Sequence, residues 1–157
     1  MGEDRSRSRG GCRNHRPEFS AQTTADLREL WRRIAFSIAI HNTDDHLRNH
    51  GFLRRGAGWS LAPAFDINPN PELGTHRVTG VGGAADPVGE VHTLLRSASL
   101  FDLTDANAKL ILAEVALAAA GWAASAQRNG ISKMETERFR PALESSIGVI
   151  RAAGERA

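Results

Sequence analysis

The sequence predicts a mainly α-helical domain carrying one small β-hairpin, and three observations lead there. Apolar residues recur at helical spacing from Leu27, two short extended pieces meet across glycines near residue 56, and an alanine-rich stretch runs from Asp105. In the first helix Leu27, Leu30, Trp31, Ile34, Ala35 and Ile38 share a face, and Thr23 with Asp26 can form a capping box. Its last turns, from Ile34 to Ile40, are apolar nearly all round, which predicts burial of that end, with Trp31, Ile34, Phe36 and Ile38 in the core. Gly51-Phe52-Leu53 and Trp59-Ser60-Leu61 flank Arg54-Arg55-Gly56-Ala57-Gly58, a length and glycine content suited to a hairpin. Residues 62–92 hold four prolines (63, 69, 71 and 87) and a glycine run, Gly80-Val81-Gly82-Gly83, so irregular loop is expected before a short helix from Val91 to Ala98. Asp105 to Arg128 reads as the longest helix, stopped by Asn129-Gly130. Ser132 with Glu135 opens a last helical region that Pro141 is expected to interrupt or restart.

The chain of 157 residues is 41% hydrophobic and 24% charged, enough for one packed domain and too short for two. We assign residues 1–22 to a basic tail expected to be disordered, and residues 23–157 to the domain. Five arginines (Arg5, Arg7, Arg9, Arg13 and Arg16) stand in that tail against Glu3, Asp4 and Glu18, and the remainder is balanced in charge. A balanced body argues against a phosphate-binding groove, so no direct nucleic-acid binding is expected. No apolar run approaches a membrane span and no secretory leader is visible, which predicts a cytoplasmic protein without membrane association. The lone cysteine, Cys12, can form no internal disulfide.

The chemistry concentrates in residues 41–51, His-Asn-Thr-Asp-Asp-His-Leu-Arg-Asn-His-Gly, and in residues 62–69, Ala-Pro-Ala-Phe-Asp-Ile-Asn-Pro. Asp44 and Asn49 have the Asp-x-x-x-x-Asn spacing of a kinase catalytic loop, and Asp66 follows a hairpin, as a metal-binding aspartate does in that chemistry. Phosphoryl transfer needs a carboxylate beside the attacking hydroxyl and hard oxygen ligands for magnesium, and one loop with a five-residue step can serve both needs.

Asn42–Leu53 followed by Trp59–Pro69 resembles the C-terminal domain of HipA-type serine/threonine kinases, toxins of bacterial toxin–antitoxin systems. The resemblance runs from about Asp26 through the closing helices. It implies a protein-kinase-like C-lobe of HipA type, with Asp44 as the catalytic aspartate, Asn49 and Asp66 as magnesium ligands, and Mg2+ and ATP as cofactors. Implied partners are a protein substrate, a DNA-binding antitoxin and a separately encoded N-terminal kinase part, since the family's phosphate-binding loop and ATP-holding lysine have no counterpart here. Activity and ATP binding are therefore not expected of this chain alone. Ile67 and Asn68 replace the phenylalanine and glycine of the usual Asp-Phe-Gly sequence.

Asp45 and His46 are read as loop-supporting residues, with turn formation as the ordinary role of Asp45. Either adjacent carboxylate could face a metal, and only the step to Asn49 favours Asp44. His46 is expected to hydrogen-bond within the loop and His50 to sit on the hairpin surface. His41, His46, His50 and His76 with Asp44, Asp45 and Asp66 could instead suggest a metal-dependent hydrolase, but their spacing matches no zinc motif. A non-catalytic remnant or binding module is the alternative from another class. The glycine run lacks a following lysine and reads as a flexible loop rather than a phosphate cradle.

Overall fold

The computed structural model describes residues 23–155, so the predicted basic tail of residues 1–22 lies outside the described residues. The chain forms α1 (Thr23–Ala39), a hairpin of β1 (Phe52–Arg55) and β2 (Gly58–Leu61), then α2 (Pro87–Arg96), α3 (Asp105–Ala120), α4 (Trp122–Arg128) and α5 (Lys133–Glu155). Single 3-10 turns cover Leu47–Asn49 and Ala98–Phe101. The mainly helical expectation with one hairpin holds.

The core lies where α1, α2, α3 and α5 meet, with α5 packed most extensively on α3 and α1 lying against both. Trp31, Ile38, Leu94, Leu112 and Ile150 are its largest fully buried apolar residues. Of the residues expected under the loop, Trp31 and Ile38 are fully buried, whereas Ile34 and Phe36 pack on the core from its rim. The α1 indole also donates from Nε1 to the Leu94 carbonyl at 3.2 Å, tying α1 to α2.

Gly56 and Ala57 form the two-residue turn between Arg55 and Gly58. Gly56 takes φ +59°, the conformation a type II′ hairpin turn demands at that place. The turn is shorter than expected, so Arg54 and Arg55 join the strand and pair with Trp59 and Gly58.

Three helix boundaries differ from expectation. The short helix starts at Pro87 rather than Val91, because Asp86 caps it by accepting the Gly89 N–H and proline suits the first helical position. The long alanine-rich helix breaks at Gly121, where glycine's poor helix propensity divides it into α3 and α4. Helix α5 instead continues through Pro141 and is the longest, at 23 residues. The carbonyl that proline leaves unbonded belongs to exposed Glu137, while Leu143, Ile147 and Ile150 anchor the following turns in the core. The Ser132 cap is present, accepting from Glu135 N–H at 3.1 Å.

The expectation of no membrane-length apolar run also needs correction, since Asp105–Arg128 is long and apolar enough to cross a membrane by length and composition. Its division at Gly121 and the burial of Ala108, Ile111, Leu112, Val115, Ala116 and Ala119 mark a packed core face. The glycine run makes a tight turn closed by a Val81–Ala84 bridge, in which a Cβ on Gly80 would collide with the Ala84 carbonyl.

Candidate phosphoryl-transfer site

Helix α1 ends in a Schellman arrangement that aims the following loop. His41 N–H bonds to Ile38 O at 3.0 Å and Asn42 N–H to Ser37 O at 2.9 Å, with His41 itself at φ +54°. Glycine is the usual residue there. The His41 ring compensates by lying between the Glu72 carbonyl, 3.3 Å from Nε2, and Ser146 Oγ, 3.4 Å from Nδ1. The chain thus reverses sharply and becomes polar as it leaves the core.

Buried Asn42 then organises the loop, its Oδ1 accepting from the Asp44 N–H at 3.2 Å. A second segment clamps the loop from outside. Asn70 N–H donates to His41 O at 3.0 Å, Asn70 Nδ2 to Thr43 Oγ1 at 2.8 Å, and Val78 N–H to Thr43 O at 3.2 Å.

The two adjacent aspartates have opposite environments. Asp44 is exposed, and its carboxylate has no hydrogen bond or ion pair among the described residues. The Asp45 side chain is only 8% exposed, held by Arg77 Nη1 at 3.2 Å and His50 Nε2 at 3.0 Å. Asp45 is therefore committed to holding the loop, whereas the Asp44 carboxylate is left open to solvent. His50 leaves the hairpin surface for this pairing, against expectation. The His46 ring also departs from expectation: Nδ1 is buried without a hydrogen-bond partner, and the residue braces the loop through its carbonyl, which accepts from Asn49 N–H at 2.9 Å.

Asn49 donates from Nδ2 to the Asp44 carbonyl at 3.1 Å, which leaves its Oδ1 unengaged among the described residues. Asp66 sits at φ +56° and accepts from Asn68 Nδ2 through Oδ1 at 2.8 Å, leaving Oδ2 open. Arg33 on α1 fastens the start of the Asp66 segment by donating to the Ala62 carbonyl at 2.6 Å. Asn49, Asp66, Asp45 and His50 line one cavity with Phe36, Phe65 and Ile67. Its volume of about 20 Å3 has room for a single water or ion. An amide oxygen and a carboxylate oxygen are hard donors, so the pair fits magnesium rather than a softer metal. Among the described residues no group of three or more His, Cys, Asp or Glu side chains converges to hold a metal, so the histidine-rich hydrolase reading gains no site.

The sequence reading missed Arg77. Its side chain is 4% exposed and meets Glu90 of α2 as well as Asp45, with Nε 2.8 Å from Glu90 Oε1. That contact is close enough for an ion pair but not aligned as a hydrogen bond, since Oε1 has no hydrogen-bond partner. Burial pushes the Glu90 carboxyl up from its ordinary range, opposed by Arg77. No periodicity marks Arg77 in the sequence, because its partners lie 32 residues before and 13 after it.

A larger groove lies elsewhere among the described residues, between α2 and α5, and contains none of these residues. Comparison with curated proteins and with solved structures returned no match. A family model, that of the HipA-like C-terminal domain, matches residues 13–123 and so spans α1, the loop, the hairpin, the Asp66 segment, α2 and α3. The chain belongs to the HipA-like C-terminal domain family.

Proposed function

We propose that this chain supplies the catalytic-loop side of a HipA-like protein serine/threonine kinase, a C-lobe that helps transfer phosphoryl from ATP to a protein hydroxyl. The observation carrying this reading is the division of labour between Asp44 and Asp45. One carboxylate is fully engaged in holding the loop, while its neighbour stands solvated and unpaired, five residues before an asparagine whose side chain donates to the Asp44 backbone carbonyl. Asp44 would accept the hydroxyl proton of the protein substrate as the oxygen attacks. Asn49 Oδ1 and Asp66 would hold magnesium, which when bound neutralises phosphate charge. Arg33 and Asn68 keep the Asp66 segment oriented, and the unoccupied acceptor positions on Asn49 and Asp66 support the assignment.

Catalysis by positioning also requires groups that clamp the ATP phosphates. The lysines among the described residues, Lys109 and Lys133, do not line the cavity, and the glycine run is closed upon itself. For that clamp we propose an N-terminal kinase part, separately encoded. A protein substrate and control by a DNA-binding antitoxin complete the reading.

The test is reconstitution with a HipA-like N-terminal fragment and labelled ATP. Transfer to protein that depends on Asp44 and is lost in Asp44→Asn supports the reading. Transfer that survives Asp44→Asn shows that a different residue is the base. A folded, associated pair that transfers nothing assigns the chain to the non-catalytic binding class.

A further inference from the structure

We infer that Arg77 is the positioning residue of the loop that carries Asp44 and Asn49, locking it to α2 through a buried charge relay. The inference rests on the phosphoryl-transfer reading for its purpose, though not for its geometry. Arg77 reaches three structural units at once. Its Nη1 lies 3.2 Å from Ser37 Oγ at the end of α1 and 3.2 Å from Asp45 Oδ2 in the loop, and its Nε lies 2.8 Å from Glu90 on α2. The backbone around it is fixed on both sides, Arg77 N–H donating to Ala85 O at 3.4 Å and Val78 N–H to Thr43 O at 3.2 Å.

With 4% of its side chain exposed, Arg77 cannot touch a nucleotide or a protein substrate, so it acts only through Asp45. Asp45 is bonded in sequence to Asp44, and the Asp44 carbonyl in turn receives the Asn49 amide. A force on Asp45 therefore moves both proposed functional groups. The chemistry requires arginine. A planar fork can serve a hydroxyl and two carboxylates in different directions, whereas a lysine ammonium is a single point charge. Without that cation, the buried Asp45 and Glu90 carboxylates would both lose the partner they share.

The experiment uses the full 157-residue chain, Arg77→Met and Arg77→Lys, with NMR signals of the Asp44 backbone and Asn49 side-chain amides and titration with Mn2+ alone as probe. In folded Arg77→Met the loop signals should shift or broaden while those of α3 and α5 stay. Mn2+ affinity should fall about tenfold, the scale seen when a ligand's supporting partner is removed. Arg77→Lys should restore melting temperature more fully than it restores the loop signals. Unchanged loop signals and Mn2+ affinity in folded Arg77→Met would overturn the inference. If Arg77→Met does not fold, Glu90→Gln decides, because it cuts the far anchor alone: the Asp44 and Asn49 signals move, or the inference fails. A wild-type chain that shows no Mn2+ broadening at Asn49 or Asp66 counts against the kinase reading, and the loop signals still judge Arg77.

Discussion

Replacing Trp31 with phenylalanine tests how α1, which delivers the proposed catalytic loop, is fastened to α2. Trp31 has no solvent exposure, and its indole N–H is bonded to the Leu94 carbonyl. That carbonyl also accepts from Ser97 N–H at 3.2 Å and Ser97 Oγ at 2.8 Å, so phenylalanine leaves no orphaned acceptor. The loss is then one net hydrogen bond, about 1 kcal/mol, plus about 1–2 kcal/mol for the space left by the smaller ring. A total of about 2–3 kcal/mol corresponds to a fall of roughly 5–10 °C in melting temperature for a domain of this size. Trp31→Ala should cost about 3–5 kcal/mol. Circular dichroism melts of both variants provide the measurement, with Trp59→Phe as control, because Trp59 is 46% exposed and its replacement should change little. A Trp31→Phe melting temperature equal to wild type would refute the packing argument. A loss as large as that of Trp31→Ala would show that the Leu94 carbonyl depends on the indole after all.

Other expectations follow from the same geometry. His41→Ala should be less stable than His41→Gly by about 1 kcal/mol in urea titrations, since only glycine enters φ +54° without strain; the reverse order would mean that the ring contacts dominate. Gly80→Ala should destabilise by at least about 1–3 kcal/mol because its Cβ meets backbone rather than a movable side chain, and an unchanged urea midpoint would contradict that turn. For Glu90, burial raises the folded-state pKa above the ordinary 4.5. Its protonated form therefore stabilises the fold fully below the unfolded-state value, and that contribution is lost as pH rises through the folded value. Relative to Glu90→Gln, wild type should lose stability as pH increases above 4.5, and a difference that instead grows in favour of wild type would reverse the sign. Calorimetry of the chain alone should find weak magnesium binding, because substrate phosphates normally complete that ion's shell; tight stoichiometric zinc binding without a magnesium response would favour the hydrolase reading.

Local signals are legible in the sequence where they coincide with burial or with turn chemistry. The α1 periodicity and the apolar stretch from Asp105 appear as elements because each matches a packing face, whereas the largely exposed hairpin follows from its glycine turn alone. The Asp86 cap and Pro87 are equally local signals, yet they stand among prolines and glycines that read as loop. Pro141 misled in the opposite direction, since its penalty is local while the burial of Leu143, Ser146, Ile147 and Ile150 that overrides it is tertiary. At the candidate site, the spacing of Asp44, Asn49 and Asp66 was visible. The roles of Asp45 and His50 depend on an arginine far along the chain, which no spacing rule can identify.

Two identical neighbouring side chains facing different surroundings cannot substitute for one another. In a deep mutational scan that scores cellular abundance and phosphotransfer separately, positions 44 and 45 should therefore separate along different axes. Substitutions at Asp45 should deplete the protein itself, because they remove one of the two carboxylates that hold the buried Arg77 cation. Substitutions at Asp44 should leave it abundant and silent. A one-residue deletion in the loop should resemble both at once, since it would carry Asp44 into the clamp and leave no carboxylate in register with Asn49.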